Sequence, residues 1–163
     1  MRILGIDPGY GIIGFGIIDL TESGLKVVDY GAITTPKEMR ITERLMAIGD
    51  SIDQIMREYK PDQVAIEELF FFKNQKTVIP VAEARGVTIV TCRKYCKNIY
   101  EYTPLQIKQA LTGQGRAEKQ QVQFMVKTIL GLSSIPKPDD AADALAVALC
   151  HSQTSPRLNA NQM

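Results

Sequence analysis

The chain has 163 residues, 45% of them hydrophobic and 23% charged, and a formal net charge of +1. That length suits one domain burying about two-thirds of its unfolded surface, and no apolar run approaches the roughly 20 residues a bilayer requires, so a spanning helix is excluded. The charge is unevenly laid out: residues 1–71 carry 7 Lys/Arg against 12 Asp/Glu, residues 72–130 carry 10 against 3, and the remainder 2 against 3.

Residues 2–7 form a short apolar run stopped by Asp7-Pro8-Gly9, which predicts a buried strand ending in a turn. Residues 12–19 and 25–34 predict two further strands joined at Thr21-Glu22-Ser23-Gly24, so the chain opens with an antiparallel meander. A helix follows near 41–59, where Ile41, Leu45, Ile48, Ile52, Ile55 and Tyr59 make one buried stripe. Pro61-Asp62 breaks it, and 63–67 reads as a buried strand finishing on acids. A second helix is expected from about 77 to 91, with Pro80 in its first turn, where a missing N–H costs least. Residues 98–102 read as a fifth strand.

Thr103-Pro104-Leu105-Gln106 is a capping box with Pro at the first helical position, and the helix it starts stops at Gly113. Another helix is expected from near Arg116, burying Val122, Met125, Val126, Ile129 and Leu130 ahead of Gly131. The last runs from around Asp139 to about Ser152. The expected organisation is one α/β domain over residues 1–152, with a five-stranded mixed sheet of three antiparallel and two parallel strands flanked by helices. A polar, disordered tail is expected over 153–163.

Three acidic elements invite a chemical reading. Asp7 closes a buried strand, where a carboxylate is expensive unless it is paired or holds a cation; an Asx-turn at the strand end would explain it equally well. Glu67 and Glu68 close another strand, and because side chains alternate, only one of the two can share a face with Asp7. Asp140 and Asp143 are i and i+3 on the last helix, hence neighbours. The helix dipole alone would favour acids there. Flanking alanines, however, make a thin helix suited to lying close on a sheet, and four acids converging at strand ends would repel without cations. Mg²⁺ prefers oxygen ligands and keeps water, so one or two ions fit such a cluster, with Mn²⁺ able to substitute.

The basic middle segment points to nucleic acid, although a solvated face of Lys and Arg gives the same pattern. It offers Lys73, Lys76, Lys108, Arg116 and Lys119 beside Asn74 and the run Phe70-Phe71-Phe72, one member of which could stack on an unpaired base while the others fill a core or an interface. Gly113-Gln114-Gly115-Arg116 resembles a phosphate-contacting turn. His151, the only histidine, is expected on the surface near a helix end. Cys92, Cys96 and Cys150 are odd in number and lack zinc-site spacing, so they are expected reduced and buried, in a cytoplasmic protein.

Taken together, five stretches resemble the RuvC family of crossover junction endodeoxyribonucleases, the bacterial Holliday junction resolvases. They are Ile3-Leu4-Gly5-Ile6-Asp7-Pro8-Gly9, Ala65-Ile66-Glu67-Glu68-Leu69-Phe70, Glu83-Ala84-Arg85-Gly86-Val87, Ala117-Glu118-Lys119 and Asp140-Ala141-Ala142-Asp143-Ala144-Leu145-Ala146. The resemblance implies a ribonuclease H-like fold, a homodimer acting on four-way junction DNA, Mg²⁺-dependent cleavage and cooperation with a branch-migration motor. It places the family's acids on Asp7, Glu67, Asp140 and Asp143, leaving Asp139 as an extra acid and helix cap. It also places the junction-entering aromatic on Phe70, and basic residues near the scissile phosphate on Lys108 and Lys119. Lys73, Asn74 and Arg116 complete the expected DNA contacts. Rival readings are an actin-like ATPase, for which one domain is too few, a non-catalytic junction binder, and a ribonuclease H-like nuclease of RNA–DNA hybrids.

Overall fold

The computed structural model describes residues 1–69, 75–154 and 161–163, with no side-chain detail at 75–77. Among the described residues five strands and five helices follow one another as β1 (Arg2–Asp7), β2 (Ile12–Thr21), β3 (Gly24–Thr34), α1 (Ile41–Tyr59), β4 (Gln63–Glu67), α2 (Gln75–Tyr95), β5 (Ile99–Tyr102), α3 (Pro104–Thr112), α4 (Lys119–Ile129) and α5 (Asp139–Gln153). The sheet order is β3-β2-β1-β4-β5. The first three strands pair antiparallel, and β4 and β5 add to β1 in parallel, each after a helical crossover. This is the mixed sheet expected from the hydrophobic pattern.

Strand alternation sorts the core into two halves. Leu4, Ile6, Val64 and Ile66 face α1 and α2, where Ile48, Ile52, Met56, Ala84 and Cys92 meet them. Ile3 and Ala65 face the other way, toward Leu145, Ala148, Val122 and Ile107 of α5, α4 and α3. Asp7 and Glu67 have the parity of Ile3 and Ala65, so both point to the α5 side. Ile6 pairs with Ile66, which sets Asp7 beside Glu67 at the carboxyl ends of adjacent strands. Register thereby selects Glu67 over Glu68 as the partner of Asp7.

α5 lies closer to the sheet than an ordinary helix could. A Cβ on Gly5 would fall 2.2 Å from the Ala144 carbonyl oxygen, and one on Gly14 would fall 1.9 Å from that of Asp140. Gly14 is the cross-strand partner of Asp7, so this contact sets the first turn of α5 over the end of β1. On the opposite face, the buried Arg44 of α1 donates from Nε to Thr35 Oγ1 (2.9 Å) and stacks 3.7 Å over the Tyr10 ring. It pins the turn that follows Asp7.

Several expectations shift. α2 is longer at both ends than 77–91, so Pro80 falls in its second turn rather than its first. The C-terminal extension buries Cys92 and puts Arg93 and Lys94 in the last turn, where cations suit the helix dipole. α4 starts at Lys119 rather than near Arg116, because Gln121 Oε1 accepts the Glu118 N–H and caps the helix there. All three cysteines are free and buried. Residues 161–163 lie along β5, with Gln162 bridging Tyr100. Phe70, Phe71, Phe72, Lys73 and Asn74 lie outside the described residues, as does Pro156 of the tail.

His151 is not on the surface. It is 7% exposed, with Nε2–H donating to Gln63 Oε1 and Nδ1 accepting from the Tyr102 hydroxyl, both at 2.6 Å. Burial lowers its pKa to about 4, so the ring is neutral and ties α5 to β4 and β5.

Two stability outcomes follow. Gly14→Ala places a methyl against the Asp140 backbone and should cost about 3 kcal/mol or more in urea unfolding; an unchanged urea midpoint would contradict this contact. The folded pKa of His151 lies below its unfolded value, so protonation favours unfolding as pH falls from 6.5 to about 4. Wild type should therefore lose up to about 3 kcal/mol more than His151→Gln between pH 7 and 4, measured by denaturant titration at each pH.

Candidate active site

Four carboxyl groups gather where β1, β4 and the first turns of α5 meet. Asp7 and Glu67 come from neighbouring strand ends, and Asp140 and Asp143 descend from α5. Burial raises the Asp7 pKa well above the carboxylate range, and the charges of Glu67, Asp143 and Asp140 raise it further. Glu67 is raised too, first by burial, although its hydrogen bond with Asp7 and the charges of Lys108 and Lys119 work against this. Asp143 is raised by burial against the opposing pull of Lys119. Asp7, Glu67 and Asp143 thus share a poorly solvated space, and the charge of Asp140 reaches Asp7 and Asp143.

A cleft of about 290 Å³ opens beside them, lined by Glu67, Asp143, Lys108 and Lys119 on its polar side and by Pro104, Ile107, Val122 and Ala146 on its apolar side. Lys119, the first residue of α4, reaches across to Asp143 Oδ2 at 2.8 Å. Burial would lower its ammonium pKa, but the bond to Asp143 and the charges of Asp143, Asp139 and Asp7 outweigh this and raise it. Lys108, on α3, faces the same cleft. Arg116 sits exposed in the turn before α4 and does not line it.

Asp139 is not a side-chain cap. The N-cap residue of α5 is Pro138, and Asp139 instead pairs with Lys137 at 2.7 Å and faces Lys119 at 3.8 Å. Sequence reasoning passed over Lys137, whose only signal is a cation two residues ahead of an acid in an exposed loop.

A family model described as "Crossover junction endodeoxyribonuclease RuvC" matches residues 3–151. The chain belongs to the RuvC family. A RuvC from Alkaliphilus oremlandii is 57% identical over 154 residues, covering 94% of both chains. The solved structure of Thermus thermophilus RuvC superposes with a TM-score of 0.91 at 32% identity over the whole of both chains. A second T. thermophilus RuvC structure, described as a complex with Holliday junction substrate, gives 0.88 at 30% identity, again over the full lengths. The chain is thus a nuclease of the RuvC family with a ribonuclease H-like resolvase fold. No described helix is long and apolar enough to cross a membrane.

The donor set suits a hard divalent cation. Among the described residues no three Asp, Glu, His or Cys side chains are gathered tightly enough to cage an ion by themselves; Lys119 holds one oxygen of Asp143. Mg²⁺ does not need an all-protein cage, since it retains waters and is commonly held by one or two carboxylates together with substrate phosphate. Buried, mutually repelling oxygen donors beside a cationic cleft fit that mode.

Such crowding should weaken the metal-free fold. The raised Asp7 pKa means that stability is fully present below the unfolded value and is lost as pH rises through the folded one. Asp7→Asn should therefore unfold on the order of 1 kcal/mol later than wild type at pH 8 without divalent ions, with the difference shrinking toward pH 5. Thermal denaturation in EDTA at both pH values measures it, and a variant less stable at pH 8 would contradict the repulsion.

Proposed function

We propose that this chain resolves four-way DNA junctions by paired symmetric nicks, hydrolysing phosphodiesters with Mg²⁺ held by Asp7, Glu67, Asp140 and Asp143. The observation that carries the reading is that acids from three elements lie close enough to repel, two of them, Glu67 and Asp143, lining a cleft together with Lys108 and Lys119. The junction-bound T. thermophilus relative supports the substrate class. Once bound, one or two Mg²⁺ ions supply an acidified water as nucleophile and charge for the leaving oxygen.

The protein's own groups do the rest. Asp7 and Glu67 stand on rigid strand ends, so their oxygens are held in place before substrate arrives. Lys119 neutralises charge developing on the phosphoryl oxygens, and Lys108 draws the scissile phosphate into the cleft. Phe70, Lys73, Asn74 and Arg116 complete the proposed DNA surface, with Phe70 entering the junction.

Two symmetric nicks call for two equal sites, which a two-fold homodimer presents. The outer face of α2 supports such a pairing. Ile79 is 68% and Val90 63% exposed there, and a Cβ on Gly86 between them would meet nothing within 4 Å. We place the work of this dimer in the cytoplasm, beside a branch-migration motor.

The test is cleavage of a labelled synthetic four-way junction and of linear duplex, each with Mg²⁺ or EDTA. Paired symmetric nicks are expected in the junction alone and only with Mg²⁺. Asp7→Asn should cut at least a thousandfold more slowly on the order-of-magnitude scale of lost metal-assisted catalysis, while holding the junction as tightly as wild type. Equal cutting of linear duplex would remove the substrate claim.

A further inference from the structure

Asp139 falls outside the family's four acids and does not cap α5. Its two oxygens face different cations: Oδ1 binds Lys137 Nζ at 2.7 Å, and Oδ2 points to Lys119 Nζ at 3.8 Å. The same ammonium is 2.8 Å from Asp143 Oδ2. Asp139 and Asp143 are i and i+4 on α5, so one lysine spans two carboxylates stacked on a single helix face. The two seats differ in depth. The Asp143 side chain is 26% exposed and belongs to the buried cluster, whereas Asp139 is 47% exposed and stands outside it. The Lys119 side chain, 54% exposed, is free to swing about its stem between them.

An ammonium seated on Asp143 Oδ2 and a divalent cation bound by the same carboxylate repel each other at close range. We propose that Asp139 is a positioning residue that receives the Lys119 ammonium when Asp143 turns to a divalent ion, keeping the lysine at the cleft rim. The inference rests on the metal-binding reading of the site given above. In the metal-free protein Lys119 serves as an internal counter-ion for the acids, offsetting part of their repulsion. On metal binding it crosses to Asp139, a short move to a carboxylate already oriented by Lys137. Without that second seat the displaced ammonium would be left in solvent beside the incoming cation. The helix dipole favours an acid in this first turn and a surface ion pair with Lys137 has little value for stability by itself, but neither requires the second oxygen of Asp139 to face Lys119.

The experiment is a double-mutant cycle on the full chain, reading Mn²⁺ affinity by electron paramagnetic resonance and single-turnover junction cleavage at saturating metal. Asp139→Asn is expected to weaken Mn²⁺ binding about tenfold and slow cleavage by a similar factor with junction affinity unchanged, and Asp139→Glu to restore most of both. In a Lys119→Met background the same Asp139→Asn change should have little further effect on Mn²⁺ affinity, because no ammonium needs a seat. Equal weakening in both backgrounds would reduce Asp139 to a general negative charge and overturn the proposal, as would undiminished Mn²⁺ affinity in the single variant. Failure of wild type and Lys119→Met alike to bind Mn²⁺ would overturn the metal reading and the proposal with it.

Discussion

Close approach of α5 to the sheet governs everything built at the active end of this protein. The helix carries alanine at 141, 142, 144, 146 and 148, all buried, and meets glycine at 5, 14 and 16 on the strands beneath. Where a Cβ would come within 1.9 Å of the Asp140 carbonyl oxygen, only a hydrogen fits. That contact brings the first turns of α5 down onto the end of β1, so that carboxylates separated by more than a hundred residues in sequence share one desolvated space. The packing is close for its own thermodynamic reasons, since small residues interdigitate without voids, and the site is a consequence of it.

The resulting cluster is electrostatically unfavourable when the protein stands alone. Asp7, Glu67 and Asp143 all hold their protons above the usual carboxylate range, with burial as the leading cause. Active sites commonly retain such strain because it is relieved only when the reaction's own partners arrive. Here the protein already supplies partial relief through Lys119, which reaches into the cluster from a separate helix. The same side chain lies at the cleft where a phosphate would enter, so one cation serves the resting protein and the proposed chemistry.

The opposite arrangement appears at two buried polar groups, Arg44 on the far side of the sheet and His151 on the α5 side. Arg44 is buried without a salt-bridged carboxylate among the described residues, its guanidinium satisfied by Thr35 and the Tyr10 ring. His151 is buried and neutral between Gln63 and Tyr102. Both are fully occupied in bracing elements that end at the active site: Arg44 holds the turn after Asp7, and His151 holds α5 against β4 and β5. Their polarity purchases geometry, with hydrogen bonds repaying the desolvation of each group.

Local signals in the chain determined the elements with few exceptions. The stripe from Ile41 to Tyr59, the capping box at Thr103 and the apolar run at 63–67 each describe a segment whose stability depends on neighbours a few residues away, and the observed bounds of α1, β4 and α3 agree with them. The helices misjudged at their ends, α2 and α4, were those whose limits depend on a core cysteine or a side-chain cap. Family resemblance named the acids, and the alternation of side chains explains why Glu67 rather than Glu68 faces Asp7, but only once the pairing of β1 with β4 sets the register. Burial of His151, the engagement of Asp139 with lysines instead of the helix end, and the seat of Lys119 on Asp143 had no sequence signature. Each arises between side chains brought together by the packing of distant elements, and periodicity along a chain carries no record of such distances. Tertiary structure decided them because charge and burial are properties of the neighbourhood in space.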